Sequence, residues 1–203
     1  MSFLYRVIRI IVIPFVYLFF RIRVHGKENI PKENGLVLCC NHTSMWDIVF
    51  LGVTFNRQIC FMGKKEIFKI PVIKGLFKML GAFPVDRKSS DKGAVNKAME
   101  ICKSGKVLGI FPEGTRNREG GPKKAKAGAA MIAIQTEAQI LPVCIYRSKA
   151  RVLPFQKVTV RYGKPIGYED CAQKEEGKIS KNQIRTVSEQ IMDNITKLWE
   201  KKH

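Results

Sequence analysis

Leu36-Val37-Leu38-Cys39-Cys40-Asn41-His42-Thr43-Ser44-Met45-Trp46-Asp47 reads as a strand, a turn and the start of a helix. Leu36 to Cys40 is an apolar, strand-like run. Asn41, Thr43 and Ser44 are cap and turn formers, and Met45 to Phe55 continues as a helix. The turn carries an imidazole, His42, and the helix start carries a carboxylate, Asp47. Five residues of regular helix rotate by about 500°, which points two such side chains well apart. They meet only if His42 lies before the helix and Asp47 inside it. A histidine can take a proton from a hydroxyl near neutral pH. A carboxylate on its other ring nitrogen fixes the tautomer and stabilises the imidazolium. No serine or cysteine nucleophile is needed if the substrate supplies the hydroxyl. The competing reading is structural: His42 caps the helix and Asp47 sits in its first turn, favoured by the helix dipole.

Outward from this stretch, short apolar runs alternate with amphipathic ones. Strands are predicted at Gln58 to Met62, Phe83 to Val85, Val107 to Phe111, Gln139 to Ile145 and Val158 to Tyr162. Helices are predicted over Glu66 to Leu80, interrupted by Pro71, and over Ser90 to Ser104, Ala127 to Thr136 and Ser180 to Lys202. Ser90 or Asp91 caps the second of these and Gly105 ends it. The last puts Ile184, Val187, Ile191, Ile195 and Leu198 on one face. Such alternation gives a layered α/β domain. At 203 residues the chain fits one domain with a sizeable core.

Three further strings stand downstream in fixed order. They are Gly81-Ala82-Phe83-Pro84-Val85-Asp86-Arg87, Phe111-Pro112-Glu113-Gly114-Thr115-Arg116 and Ile140-Leu141-Pro142-Val143-Cys144-Ile145. With Asn41 to Asp47 they closely resemble the four blocks of the glycerolipid acyltransferases, specifically the 1-acylglycerol-3-phosphate O-acyltransferase family. The resemblance covers residues 25 to 165. A histidine and an aspartate at this spacing are common by chance; the Gly81–Arg87 and Phe111–Arg116 strings in this order are specific. Asn117 follows Arg116 where the family often has serine.

The resemblance implies a mixed, mostly parallel sheet flanked by helices. It implies transfer of a fatty acyl group from an acyl thioester, either acyl-CoA or acyl-acyl carrier protein. The acceptor is the free hydroxyl of 1-acylglycerol-3-phosphate (lysophosphatidic acid), and the product is phosphatidic acid. No metal or redox cofactor is implied. Another lysophospholipid or a lyso-aminolipid is the alternative acceptor. A catalytically silent membrane-binding protein is the alternative of a different class.

In this reading His42 is the general base and Asp47 orients it. The resemblance implies that Arg87 and Arg116, each closing its string, help hold the acceptor phosphate, and a guanidinium fork suits phosphate oxygens. A salt bridge from Arg87 to Asp86 or another carboxylate is the structural alternative. Glu113, Gly114 and Thr115 follow a strand, which places them in a loop where α/β domains bind ligands. Gly114 permits a tight turn or close backbone approach. Glu113 either positions the glycerol part or pairs with Arg116. Lys64, beside Lys65, adds charge to the phosphate pocket or lies on the surface. Lys123, Lys124 and Lys126 meet anionic headgroups or donor phosphates, or form a solvated turn. Phe68, Ile70, Val72, Leu76, Phe77 and Leu80 line an acyl channel, face the membrane or form core.

The formal net charge of +19 implies an anionic partner. Lysines and arginines are spread along the chain, with no helix-turn-helix, zinc-finger or stacking signature, so membrane and phosphate are preferred over nucleic acid. Cys39, Cys40, Cys60, Cys102, Cys144 and Cys171 form no CxxC, which favours reduced thiols in a cytosolic setting. His25, His42 and His203 are too scattered for a metal centre. Phe3 to Phe20 is apolar but contains Arg6, Arg9 and Pro14, and its unbroken part, Ile10 to Phe20, is too short to span a bilayer. No small-residue cleavage site follows it. Arg6, Arg9, Arg21 and Arg23 bracket the apolar stretch, which fits a helix lying among anionic headgroups. Residues 1–24 are thus expected to anchor an acyltransferase domain, 25–203, peripherally or monotopically on the cytoplasmic face of the cell membrane. A core helix packed on the domain is the alternative.

Overall fold

The computed structural model describes residues 3–70, 74–75, 77–78, 80–86, 91–117, 121–148, 151–171 and 179–201. Seven strands form one sheet: β1 (Arg21–His25), β2 (Leu36–Cys40), β3 (Ile59–Lys64), β4 (Phe83–Val85), β5 (Val107–Ile110), β6 (Gln139–Arg147) and β7 (Lys157–Tyr162). Their spatial order is β1-β7-β6-β2-β5-β3-β4. Neighbours are parallel throughout except β6 and β7, which run antiparallel. This is the mixed, mostly parallel sheet that the resemblance implies.

Period-two alternation divides the strand side chains between two layers. Val37 and Cys39 face one side, packed with the helices α3 (Lys92–Lys103), α4 (Gly128–Thr136) and, after the short α5 (Tyr168–Cys171), α6 (Lys181–Glu200). Ile191 and Ile195 of α6 are fully buried there. Leu36, Leu38 and Cys40 face the other side, with Val16 of α1 (Phe3–Phe19) and Phe50 and Leu51 of α2 (Trp46–Thr54). β2, buried at every position, is the central strand of the sheet.

Several elements lie close to their predicted bounds. Asp91 caps α3, accepting from the Ala94 amide at 2.9 Å. Ser180 caps α6 in the same way through the Gln183 amide at 3.0 Å. Two segments differ. No strand is predicted at 21–25, yet Arg21 to His25 pairs in register with Lys157 to Arg161. Its arginines alternate with apolar residues on an edge strand, where charge keeps an open edge soluble and masks the strand signal. The first part of the predicted helix from Glu66 to Leu80 is a short 3₁₀ helix, Lys65–Lys69, that stops at extended Ile70, ahead of the expected interruption at Pro71. A proline excludes the helical conformation for the residue ahead of it. Lys74, Gly75, Phe77 and Lys78 are helical; Val72 and Leu76 lie outside the described residues.

The topology gathers one end of the sheet. β2, β3, β4, β5 and β6 end there, and β7 and β1 begin there. Ligands of α/β domains bind at the carboxyl ends of parallel strands. α1 finishes at this same end, leading into β1. Its Tyr5 and Val16 are buried, whereas Phe3, Ile10, Ile11, Phe15 and Leu18 are exposed. No helix among the described residues is long and apolar enough to cross a membrane.

Candidate active site

β2 delivers its chain into the turn under tight control. The Asn41 side chain continues the β2–β6 ladder, donating to the Ile145 carbonyl at 3.0 Å and accepting from the Ile145 amide at 2.8 Å. His42 is then held at both its backbone groups. Its amide donates to Glu113 Oε1 at 3.1 Å, and its carbonyl accepts from the Asn117 amide at 2.7 Å. The loop after β5 therefore clamps the turn after β2. Phe111 of the same loop stacks on the imidazole, with ring centroids 3.8 Å apart.

The ring's Nδ1 donates to Asp47 Oδ2 at 3.0 Å. The aspartate oxygen also accepts from the amides of Thr43 at 2.7 Å and Ser44 at 2.8 Å. Thus Asp47 lies inside the first turn of α2 while His42 precedes the helix, the one arrangement in which this spacing lets them meet. His42 does not cap α2; Asp47 itself reaches back to the turn amides. An ionised carboxylate only accepts, so in the neutral ring Nδ1 carries the proton and Nε2 is the basic nitrogen.

Asp47 has a second partner that sequence reading missed. Arg147, the last residue of β6, donates from Nη1 to Asp47 Oδ1 at 2.7 Å and from Nη2 to Thr43 Oγ1. Both side chains of this ion pair are almost fully buried. The available signal was slight: an arginine ending an apolar strand two residues past the fourth string, easily taken for an ordinary solvated strand end. Burial would raise the Asp47 pKa, but the His42 hydrogen bond, the Arg147 charge and the Ser44 amide outweigh it and hold the carboxyl below its usual range.

Glu113 behaves oppositely. Burial pushes its pKa up to about 7, against the pull of the His42 amide and Lys123. Its Oε2 is buried with no hydrogen-bond partner. Among the described residues this carboxylate meets the His42 backbone rather than Arg116. A folded-state pKa above the unfolded value of about 4.5 means that the native protein holds a proton the unfolded chain releases. That contribution is complete below about pH 4.5 and is lost as pH rises through about 7. Glu113→Gln keeps an acceptor for His42 and cannot ionise. Its melting temperature relative to the unsubstituted protein is therefore expected to climb as pH rises from 5 to 8, measured by thermal unfolding across that range. A constant difference would contradict the assignment.

Beside the imidazole lies a cavity of about 350 Å³. Met45, Ile48, Phe61, Ile67, Phe77 and Leu80 give it apolar walls, and exposed Lys64 and Arg116 supply cations. Thr115 lines it as well. Lys64 also pairs with Glu66 at 3.4 Å. Phe68 belongs instead to the buried interior, and Ile70 is exposed. Gly114 has a φ of 75°, a left-handed conformation that favours glycine, while a Cβ there would meet only the movable end of the Lys126 side chain, 2.8 Å from its Cε. Arg87 lies outside the described residues. Cys39, Cys40, Cys60, Cys102 and Cys144 are buried and in no disulfide.

A histidine–aspartate pair at the carboxyl ends of parallel strands, opening on an apolar cavity with cations, makes an α/β general-base site suited to an amphiphilic substrate. Comparison with known proteins makes the class definite. The family model described as Acyltransferase matches residues 21–146, and this chain belongs to that family. It is 32% identical over 183 residues to the 1-acyl-sn-glycerol-3-phosphate acyltransferase of Bacillus subtilis, covering 89% of each chain. It is 29% identical over 186 residues to the protein of the same description from Streptococcus pneumoniae, covering 86% of this chain and 67% of that one. The crystal structure of the 1-acyl-sn-glycerophosphate (LPA) acyltransferase PlsC from Thermotoga maritima superposes with a TM-score of 0.74. That match has 25% sequence identity and covers 98% of this chain and 82% of the other.

Proposed function

We propose that the protein transfers a fatty acyl group from an acyl thioester to the free hydroxyl of 1-acylglycerol-3-phosphate, forming phosphatidic acid. The observation that carries this is the His42–Asp47 pair at the wall of an apolar cavity furnished with cations. His42 Nε2 takes the proton of the acceptor hydroxyl as its oxygen bonds to the thioester carbonyl carbon. The tetrahedral adduct collapses with cleavage of the carbon–sulfur bond. The imidazolium returns its proton to the leaving thiolate, so the ring ends as it began. Asp47 fixes the tautomer and balances the transient charge. No acyl-enzyme forms, because the nucleophile is the substrate's own hydroxyl.

Arg116, Arg87 and Lys64 hold the acceptor phosphate in this reading. Glu113, Gly114 and Thr115 shape the loop beside it, Glu113 acting through the His42 amide. Acyl chains take the apolar part of the cavity. The donor is acyl-CoA or acyl-acyl carrier protein. Residues 1–24 associate with an anionic membrane on its cytoplasmic face, and 25–203 form the acyltransferase domain, with β1 spanning the join. The apolar exposure of α1 supports the membrane role, while the family match begins at residue 21, with β1.

The test is thiol release by purified protein given an acyl thioester and 1-acylglycerol-3-phosphate. Release that depends on both, with phosphatidic acid as product, is expected. Release only with an acceptor lacking phosphate would overturn the substrate assignment, and no release with any acceptor would favour a silent membrane-binding protein. Arg116→Ala is expected to raise KM for the phosphorylated acceptor about tenfold or more with little change in kcat, since it removes binding shared by ground and transition states. An unchanged KM would remove Arg116 from phosphate binding.

A further inference from the structure

Residues 151–156, between β6 and β7, do not resemble a solvated turn. Leu153 and Phe155 are 37% and 62% exposed, with exposed Pro154 between them. Phe155 has a φ of 60°, a conformation costly for a bulky aromatic side chain. Its amide donates to the Phe19 carbonyl at the end of α1 at 2.6 Å, and its ring lies 6.4 Å from that of Phe19. The loop is thereby tied to α1 with its apolar side chains turned outward. Between loop and helix runs an open groove of about 300 Å³, lined by Phe15, Phe19, Trp46, Val152 and Leu153 among others. Scattered exposed apolar residues are ordinary, whereas a contiguous apolar surface on two elements marks an interaction site.

The charge around this surface says what covers it. Residues 3–25 and 139–168 contain no aspartate or glutamate. Arg6, Arg21, Arg23, Arg151 and Lys157 are all exposed. Arg21 pairs with Lys157 at the starts of β1 and β7, and its amide donates to the Gln156 carbonyl at 3.1 Å, so these two cations adjoin the loop that carries Arg151. An apolar face flanked by such cations fits an anionic lipid leaflet, with side chains among acyl chains and guanidinium groups at the phosphates. The topology agrees. The loop joins the end of β6 to the start of β7, at the end of the sheet where β2 delivers His42. A leaflet contacting this loop also approaches the catalytic cavity.

We propose that the 151–156 loop is a second membrane-contacting element, with Leu153 and Phe155 entering an anionic leaflet alongside α1. This rests on the membrane association proposed above for residues 1–24. The experiment uses the full chain and phosphatidylcholine vesicles with or without phosphatidylglycerol. The unsubstituted protein is expected to float with the anionic vesicles, and Leu153→Ser/Phe155→Ser to bind them about tenfold more weakly. Thiol release from detergent-dispersed substrates is expected to stay unchanged. As a control for misfolding of the double variant, Phe155→Trp provides a second measurement: brominated anionic lipid is expected to quench its added fluorescence. Equal flotation of the double variant and absent quenching would overturn the loop's role. So would a dimer of the unsubstituted protein that the double variant abolishes, which would make this face a contact between copies. Loss of flotation by the unsubstituted protein overturns the membrane reading as a whole. Loss of thiol release, with flotation intact, overturns the enzymatic reading alone.

Discussion

His42→Ala is expected to lower the rate of thiol release by about 10²- to 10⁴-fold while leaving the domain folded, the range spanned by positioned general bases. The geometry explains why the loss falls on kcat. The ring is fixed by its stack on Phe111 and by Asp47, and among the described residues it is the one imidazole that lines the cavity. Removing it leaves the acceptor hydroxyl at its own high pKa, with water as the remaining base. The walls and the cations at Lys64 and Arg116 do not change, so KM for the acceptor is expected to move little. Stability is expected to fall only modestly. Asp47 keeps the Thr43 and Ser44 amides and the Arg147 guanidinium, so its charge is not orphaned. Steady-state kinetics and thermal unfolding of the same preparation separate the two effects. Full activity in a folded His42→Ala protein would remove this residue from the chemistry.

The Asp47→Asn variant probes the other half of the pair. An asparagine oxygen still accepts from Nδ1, but the full negative charge is gone while Arg147 stays buried beside it. The imidazolium formed in the reaction then loses its counter-charge. Both activity and stability are expected to fall, in contrast to His42→Ala, where activity falls far more than stability. That contrast reports which partner does chemistry and which also holds the fold.

Much of this arrangement was legible in the residues, and what was not has physical causes. The central strand, its turn and the helix after it follow from local chemistry: an apolar run, then cap formers, then helix formers. The pairing of His42 with Asp47 followed from asking how their spacing closes. Arg147 was not legible. It lies 100 residues from Asp47, and only the parallel pairing of β2 with β6 brings them together. Its buried guanidinium is a tertiary fact, invisible to periodicity. Glu113 was legible as a loop residue, but neither role read for it, positioning the glycerol part or pairing with Arg116, pointed to the turn that carries His42. The actual contact is with a backbone amide, which sequence does not single out. β1 escaped because an edge strand carrying charge has the same composition as a basic linker.

Arg147→Met is expected to destabilise the domain by about 3–5 kcal/mol, the usual consequence of stripping one partner from a buried ion pair. For a chain of this size that lowers the melting temperature by about 10 °C. Methionine fills much of the arginine stem's volume, so packing loss is not the main effect. Asp47 is fully buried, and Arg147 contributes a charge and a donated hydrogen bond to it. Without them the balance against desolvation weakens and the Asp47 pKa rises. The sign of the pH dependence follows. A carboxylate whose folded pKa is depressed adds stability above its unfolded value of about 3.8, and that stability is lost as pH falls through the folded pKa. The difference between the unsubstituted protein and Arg147→Met is therefore largest near neutrality and shrinks in acid, where Asp47 is protonated in both. Arg147→Lys keeps the charge without the planar fork that reaches Thr43 and Asp47 together, and is expected to lie between the two. The pair Asp47→Asn/Arg147→Met removes both charges and is expected to recover much of the lost stability without recovering activity. Thermal unfolding from pH 8 down to well below the unfolded carboxyl value of about 3.8, with thiol release measured on each variant near neutrality, checks the whole series. An Arg147→Met protein that melts with the unsubstituted one at every pH, and turns over at the same rate, would show that Asp47 does not depend on this guanidinium.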